Sequence, residues 1–291
     1  MAVITEATTT PVPKQNKIKN IFKRDEKTNL LKSEFSKQYF NFIDWWTITE
    51  KIDGMNMRIH ANQNGEFLIG GKTDKANIPQ DLVDNIGKLF PGNSDEEFNE
   101  FIINKLDDFG YAGYNVTLFG EGYGAGIQKG GIYREDKSFI LYDVCFTKDD
   151  GRKFFAPPRE VEDIAESLGI ECVRMIHGAS LEYVMLFCES VAEPQLAELH
   201  SYVDLAKMVD EYSEYTPEGF VVYPTEPLYD SFGERIVFKL KTKDIVRLRE
   251  YGVANLSEDL NKRIRETVEA YVEALAGGDA DTENTDDVIL H

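Results

Sequence analysis

The sequence predicts an α+β fold in which strands and helices are interleaved without a regular β-α-β rhythm. Two observations support this prediction: several runs are rich in β-branched or aromatic residues, and segments with helical periodicity lie between and after them. We therefore expect sheets flanked by helices rather than a doubly wound parallel sheet. The strand-like runs are residues 46–60, 67–70, 115–119, 138–146, 219–223 and 235–240.

Helical patterns account for most of the intervening sequence. Residues 78–89 and 96–108 carry apolar side chains at helical spacing, and residues 181–208 predict one or two more helices. In residues 158–168 the apolar positions share one face, and Gly169 suits the position that follows a helix. A last helix is expected between a cap at Ser257 and the Gly277–Gly278 pair. Its apolar positions are Leu260, Ile264, Val268, Tyr271, Val272 and Leu275.

Length and composition predict an ordinary globular protein. A chain of 291 residues can form one large domain, or one large and one small domain, with a sizeable core. The first thirty residues lack the apolar region of a secretory signal, and no stretch approaches the roughly 18 consecutive apolar residues of a membrane span. The three cysteines lie far apart, so we expect reduced core residues in a cytoplasmic protein with no membrane partner. They are Cys145, Cys172 and Cys188.

The net charge of −20 argues against a nucleic-acid partner, because binding RNA requires basic side chains that neutralise phosphates. The charge is uneven along the chain, however, with lysines near the N-terminus and acidic residues near the C-terminus. A nucleic-acid partner is therefore weakened as a hypothesis but not excluded. The lysines are Lys14, Lys17, Lys19, Lys23, Lys27, Lys32 and Lys37, and the acidic residues are Asp279, Asp281, Glu283, Asp286 and Asp287.

Five short motifs carry functional groups, and each is weak by itself. The first contains Lys51 followed by Asp53 and Gly54, which alone reads as a β-turn between two strands. The second is Gly-Glu-Gly at 120–122, where Glu121 leads into a glycine-rich loop that lets backbone approach a ligand. That loop lacks the Gly-Lys-Ser/Thr of a phosphate-binding P-loop, and a flexible hairpin explains it equally well.

The other three motifs lie on apolar strands. A Tyr142–Asp143 pair stands near the end of one strand, and Glu218 opens another. Lys239 and Lys241 alternate with apolar residues and so point to one face of a strand, as they would on a lysine-protected edge strand.

The order of these five motifs resembles the covalent nucleotidyltransferases, which comprise ATP-dependent DNA ligases, RNA ligases and mRNA capping enzymes. The string GEGYGAGIQKGGIYREDKSFILYDV is similar to the RNA ligase 2 type, and the lead-in KIKNIFKRDEK is similar to its phage members. The resemblance covers residues 15–243 and implies an adenylyltransferase domain of antiparallel sheets flanked by helices. Around it we expect a disordered lead-in over residues 1–14, a small helical segment over 244–278 and an acidic disordered tail over 279–291.

The resemblance also implies a role for each motif residue. Lys51 is expected to attack ATP and carry AMP, which requires a deprotonated amine. Lys239 and Lys241 would supply positive charge near the α-phosphate, and Glu218 would hold Mg²⁺ or Mn²⁺. The remaining expected contacts are Glu50 and Tyr142 with adenine, Glu121 with ribose, Asn56 with the RNA 5′-phosphate, and Asp53 and Gly54 in the turn that presents Lys51.

The implied activity is ATP-dependent joining of RNA 5′-phosphate and 3′-hydroxyl ends by a monomer, in the host cytoplasm if the gene is phage-encoded. Nicked duplex, RNA–DNA hybrid and single strand all stay open as substrates, and RNA nick repair is the expected role. The alternatives are a minimal DNA or hybrid ligase and a non-catalytic RNA-binding relative.

Two features depart from the family pattern. Lys72 stands where an arginine is expected, so the phosphate contact loses its bidentate geometry. The segment after Lys241 is short and predicts one helix, without the strands of an OB-fold.

Overall fold

The computed structural model describes residues 1–5, 11–28, 31–128, 133–194, 205–250 and 262. The chain divides into two compact units, each built from two separate stretches of sequence. Unit 1 comprises Met1–Lys17 and Ile52–Arg174, and unit 2 comprises Ile18–Lys51 and Met175–His291. The chain therefore passes from one unit to the other three times, and one of these boundaries is the peptide bond that follows Lys51. None of the described helices combines the length and apolar character that a membrane crossing requires.

Unit 1 contains a mainly antiparallel sheet with strand order β1-β7-β6-β8-β9-β10, and β11 pairs with β9 in parallel. Its strands are β1 (Ala2–Val3), β6 (Met55–Ala61), β7 (Phe67–Gly71), β8 (Asn115–Tyr123), β9 (Ser138–Thr147), β10 (Lys153–Phe155) and β11 (Glu171–Cys172). Its helices are α1 (Gln80–Gly87), α2 (Asp95–Asp107) and α3 (Pro158–Leu168).

The core of unit 1 is formed by apolar residues of its central strands and of α3, as their sequence patterns predict. Met57 and Ile59 on β6 and Leu118 on β8 are fully buried, as the alternation of apolar residues requires. Helix α3 buries its predicted apolar face and ends at Gly169, whose φ of 68° lies in the left-handed region that favours glycine.

The N-terminal segment differs from the expected disordered lead-in over residues 1–14. Ala2–Val3 pairs in parallel with β7, and the Ile4 N–H donates to the Ile69 carbonyl at 2.7 Å. Ile4 is buried, since only 4% of it is exposed. The expectation is therefore wrong for the first residues, because one edge of the sheet offers both backbone partners and apolar surface to a short strand.

Unit 2 contains a sheet with strand order β12-β5-β13-β14-β2 and a separate β3–β4 pair. Its strands are β2 (Lys19–Asn20), β3 (Phe22–Arg24), β4 (Leu31–Phe35), β5 (Trp46–Glu50), β12 (Met175–Ala179), β13 (Gly219–Pro224) and β14 (Phe238–Lys241). Its helices are a 3₁₀ turn (Gln38–Phe42), α4 (Leu181–Ala192), α5 (Leu205–Asp210) and α6 (Thr242–Glu250).

Aromatic side chains dominate the core of unit 2. Trp46 packs edge-on against Phe238, with ring centroids 5.1 Å apart, and Phe40 packs against the same ring at 5.2 Å. Phe187 of α4 meets Phe220 of β13 at 5.2 Å. Such pairs fix β5, β13 and β14 relative to one another. Of the predicted catalytic residues, Lys239 and Lys241 lie on β14 and Lys51 directly follows β5.

The α+β prediction is confirmed, and most predicted elements are present. The run 46–60 forms two strands, β5 and β6, and the predicted helical stretch 181–208 contains α4 and α5. In the part of the chain that the structure describes, the residues after Lys241 form α6 and no strand. The helix predicted from Ser257 and the acidic tail lie outside the described residues. The boundaries given for the adenylyltransferase domain, 15–243, stay a prediction.

Candidate active site

Three strand ends of unit 2 bring Lys51, Glu218 and Lys241 together. The Lys51 N–H donates to the Gly219 carbonyl at 2.9 Å, and Gly219 pairs with Lys241 across β13 and β14. The Lys51 ammonium donates to one carboxylate oxygen of Glu218, and the Lys241 ammonium donates to the other. We call these three residues the lysine–carboxylate group. Each side chain is between 20% and 25% exposed, so the group lies near the surface but is largely shielded from water.

Gly219 is the residue that allows this approach. Its φ is 151°, and a Cβ atom at this position would lie 2.1 Å from the Leu240 carbonyl oxygen. A side chain would therefore push β13 away from β14 and separate Glu218 from Lys241. Thr242, the residue after β14, binds the residue before β13, because its N–H donates to the Glu218 carbonyl at 3.1 Å.

Two opposing effects act on the Glu218 carboxyl. Burial raises its pKa, while hydrogen bonds from Lys241 and Lys51 lower it, and the balance leaves the pKa below its ordinary value. Glu218 is therefore a carboxylate at neutral pH.

Lys239 lies two residues before Lys241 on the same face of β14 and is half-buried.

Glu50 is the buried acid that immediately precedes Lys51. It pairs with Phe220 across β5 and β13, and only 7% of it is exposed. The hydroxyl group of Tyr215 lies 3.0 Å and 2.9 Å from its two carboxylate oxygens and donates to them. Tyr215 is a site residue that sequence reasoning missed, and its only local signal is its position three residues before Glu218.

Unit 1 brings together Asn56, Glu121 and Tyr142. Asn56 and Glu121 face each other across β6 and β8, so their side chains emerge on the same face. Phe119 pairs with Asp143 and Gly120 with Leu141, which makes Tyr142 the extra residue of a β-bulge in β9. A bulge redirects a side chain relative to the regular strand. Here the Tyr142 hydroxyl accepts a hydrogen bond from the Asn56 side-chain amide.

The Asp53–Gly54 turn leads into β6 and packs closely on β8. A Cβ atom on Gly54 would lie 2.5 Å from the Gly122 carbonyl oxygen and 2.7 Å from Glu121 Cγ, so only glycine fits without a shift. The backbone N–H of Asp53 faces the Tyr133 hydroxyl at 3.4 Å. The turn thus lies beside Glu121, the residue expected to contact the ribose.

Lys72 directly follows Gly71, which pairs with Met57 across β6 and β7. It is exposed in the loop that follows β7. The nearby Arg58, which is 1% exposed, instead donates to the Gly71 carbonyl and to Asp74, each at 2.8 Å. Hydrogen bonds from Arg58 and then Lys14 lower the pKa of Asp74. Sequence reasoning missed Arg58, which binds the Gly71 backbone before Lys72 and the Asp74 carboxylate after it.

The predicted site residues thus form two groups, one in each unit. Unit 2 carries the lysine–carboxylate group together with Glu50 and Lys239. Unit 1 carries Asn56, Glu121, Tyr142 and the Asp53–Gly54 turn. Among the described residues, no cluster of three or more His, Cys, Asp or Glu side chains is arranged to hold a metal ion.

Comparison with known proteins identifies the family. The model of the RNA ligase family matches residues 44–241, about two thirds of the chain, and this range includes both groups of site residues. The chain belongs to the RNA ligase family. The resemblance of its five motifs to covalent nucleotidyltransferases is therefore confirmed at the level of this family. Sequence comparison with curated proteins gives no match.

Solved structures of other RNA ligases are distantly similar to this member of the family. A Naegleria gruberi RNA ligase mutant with AMP and Mn is 15% identical with a TM-score of 0.42, over 70% of this chain and 51% of that one. An archaeal ATP-dependent RNA ligase is 15% identical with a TM-score of 0.48, over 80% of this chain and 49% of that one. The chain therefore spans about half the length of these two structures.

Proposed function

We propose that this chain is an ATP-dependent RNA ligase that joins 5′-phosphate and 3′-hydroxyl ends through AMP carried on Lys51. The observation that supports the proposal most directly is the lysine–carboxylate group, in which two lysines share one carboxylate at the meeting point of three strands. That group lies inside the range matched by the RNA ligase family. The group supplies a nucleophilic amine and further positive charge, which are the requirements of nucleotidyl transfer.

In the first step, Lys51 Nζ attacks the α-phosphorus of ATP after its proton has passed to solvent. An N–P bond forms, the bond to the bridging oxygen breaks, and pyrophosphate leaves. Lys239 and Lys241 carry positive charge on one strand face, where it would stabilise the negative charge that develops on the phosphate oxygens. Because these side chains are held by β14, they need little rearrangement during the reaction.

Glu218 is the residue that would hold a divalent cation. Mg²⁺ binds through one or two carboxylates together with substrate phosphates, so a single protein carboxylate fits this mode of binding and a dedicated protein cage is not required. Mn²⁺ also accepts oxygen ligands. A bound cation would neutralise charge on the triphosphate. Glu218 is ionised and largely shielded from water, which suits it to this role.

In the second step, a 5′-phosphate oxygen of the RNA attacks the phosphorus of the lysyl-AMP, and the N–P bond breaks. Lys51 is released, and the RNA end carries AMP through a new phosphoanhydride bond. In the third step, the 3′-hydroxyl attacks the 5′-phosphorus and AMP leaves. Adenylation therefore converts a poor leaving group into a good one.

The same proposal assigns recognition of the nucleotide to individual residues. The Tyr142 ring would stack on adenine, Glu121 would bind the ribose, and Asn56 would contact the RNA 5′-phosphate. The shared face of Asn56, Glu121 and Tyr142 in unit 1 supports this assignment. Glu50 would accept hydrogen bonds from the adenine edge.

The test is transfer of label from α-labelled ATP or GTP to the protein in the presence of Mg²⁺ or Mn²⁺. Wild type, Lys51→Ala and the control Lys88→Ala, which removes an exposed lysine after α1, are compared. We expect covalent label from ATP in wild type and control, stable to alkali but released by acid as a phosphoramidate is, and none in Lys51→Ala. Label from GTP alone would indicate capping chemistry. No label, with no AMP retained from expression by mass, would overturn the proposal and favour a non-catalytic RNA-binding relative.

A second assay addresses the polynucleotide. A labelled 5′-phosphate strand is offered as an RNA nick, as an RNA–DNA hybrid nick, as an all-DNA nick and as a single strand. We propose RNA nick sealing and expect the greatest product from a nick with an RNA 3′-hydroxyl strand. Preferential sealing of the all-DNA nick would instead identify a minimal DNA ligase.

A further inference from the structure

The Tyr142 hydroxyl is bonded on both sides, and its second partner comes from the N-terminal segment. The hydroxyl accepts from the Asn56 amide and donates to Gln15 Oε1 at 3.1 Å. Gln15 in turn directs its amide nitrogen to the Asp143 carboxylate at 3.4 Å. A phenylalanine at position 142 would lack all contacts of the hydroxyl.

We propose that residues 12–15, here called the strap, belong to the nucleotide site, and that Gln15 is a positioning residue that fixes the Tyr142 ring. This inference rests on the proposed function, because it takes Tyr142 as the surface on which adenine stacks. It assigns to the strap a role in ATP affinity.

The β-bulge explains why the ring needs such support. Tyr142 is the extra residue of the bulge in β9, between Leu141, which pairs with Gly120, and Asp143, which pairs with Phe119. A bulged residue is not held by the regular ladder, so the orientation of its side chain depends on its own contacts. The hydroxyl is the far end of that side chain, and two hydrogen bonds there restrict both the tilt and the rotation of the ring.

Buried and charged contacts anchor the strap itself. Arg58 points its guanidinium at the carbonyl oxygens of Pro13, at 3.3 Å, and Val12, at 3.5 Å. The same guanidinium is bonded to Asp74 at 2.8 Å, and Lys14 reaches the other oxygen of Asp74 at 2.6 Å. Since Arg58 is 1% exposed and held by β6, the strap is attached to a fixed point of the sheet.

Loss of the Gln15 contact should weaken ATP binding without removing a reacting group. A single hydrogen bond that orients a binding surface accounts for a change of about 3- to 10-fold in an equilibrium constant. We therefore expect Gln15→Ala to raise the ATP concentration for half-maximal lysine adenylation by about that factor. The maximal rate should change less than about 2-fold, because the lysine–carboxylate group is intact. Tyr142→Phe should raise the half-saturating ATP concentration at least as much, because it also loses Asn56.

The experiment measures single-turnover adenylation against ATP concentration for wild type, Gln15→Ala, Tyr142→Phe and the double variant. Asn16→Ala is the matched control, since it removes an exposed amide side chain next to the strap. If Gln15 acts through the hydroxyl, the double variant will match Tyr142→Phe. Thermal unfolding of each variant checks that the fold is kept.

Two outcomes would overturn the inference. In the first, Gln15→Ala and Asn16→Ala reach half-maximal adenylation at the same ATP concentration. In the second, the effects of Gln15→Ala and Tyr142→Phe on that concentration multiply in the double variant. Multiplied effects would show that Gln15 acts independently of the Tyr142 hydroxyl. Failure of the proposed function is a separate result, because it would appear as absence of label on the wild-type protein.

Discussion

Acid should destabilise unit 1 through the buried imidazole of His60. This side chain lies on β6, is 1% exposed, and its Nδ1 is 2.9 Å from the Thr117 hydroxyl oxygen. Burial lowers its pKa from 6.5 to about 4, partly opposed by the charge of Glu66. The folded protein therefore keeps His60 neutral at pH values where the unfolded chain already binds a proton.

The direction and size of the effect follow from these two pKa values. Because the folded pKa lies below the unfolded one, the stability is complete above pH 6.5 and is lost as the pH falls towards 4. The full difference corresponds to about 3 kcal/mol, of which about 2 kcal/mol is lost between pH 7.5 and pH 5. Below pH 4 both states bind the proton and this contribution becomes constant.

The assay is urea unfolding at pH 7.5 and pH 5, followed by circular dichroism and by hydrogen exchange of the β6 and β8 amides. His60→Asn removes the titrating group while keeping a polar atom near Thr117, and His177→Gln, in unit 2, serves as the control. We expect His60→Asn to lose about 2 kcal/mol less than wild type over this pH interval. Equal losses in wild type and His60→Asn would refute the reasoning, whatever the stability of the variant at pH 7.5.

Two further predictions concern unit 2. Gly219→Ala should destabilise the protein by more than about 2 kcal/mol in urea unfolding. The reason is that φ at this position is positive and the added Cβ would lie 2.1 Å from the Leu240 carbonyl oxygen. An unchanged free energy of unfolding would contradict this. Tyr215→Phe should cost about 1–3 kcal/mol, since it removes a hydroxyl donor from the buried Glu50 carboxylate. Tyr183→Phe is its control, because that hydroxyl faces the Met208 sulfur, a weak acceptor.

The longer strands could be predicted because their pattern of apolar residues is local. β8 shows the limit of such local prediction. Its end is predicted at Phe119 because several glycines follow in the sequence. The strand continues to Tyr123 because β6 and β9 pair with it on both sides. Gly120 is accommodated where a Cβ would lie 2.3 Å from the Phe139 ring, so the glycine is a packing requirement and not a strand breaker.

Very short strands had no signature in the sequence. β1, β2 and β11 are each two residues long, and a period-2 pattern cannot be recognised over two residues. Each of them pairs in parallel with a longer strand that is distant in the chain, so tertiary contacts create them.

The five motifs could be recognised because they occur in a characteristic order, whereas the residues that contact them could not. Tyr215 bonds to Glu50 across 165 positions, and Gln15 bonds to Tyr142 across 127. Neither contact leaves a local pattern, since no periodicity or spacing links segments so far apart. Arg58 shows the same limit, because its alternation in β6 predicts only that it lies on one face of a strand.

The lysine–carboxylate group would also allow a chain with a net charge of −20 to hold the anionic nucleotide that we propose as its substrate. Net charge describes the whole surface, whereas the field at a site depends on the nearest groups. Lys51 and Lys241 would repel each other in a partly shielded position, and Glu218 reduces that repulsion by bonding to both. A triphosphate also offers negatively charged oxygens that can accept hydrogen bonds from both ammonium groups. The lysines therefore have an internal counter-ion in the free protein that phosphate oxygens would replace, and Glu218 would then be released towards a divalent cation.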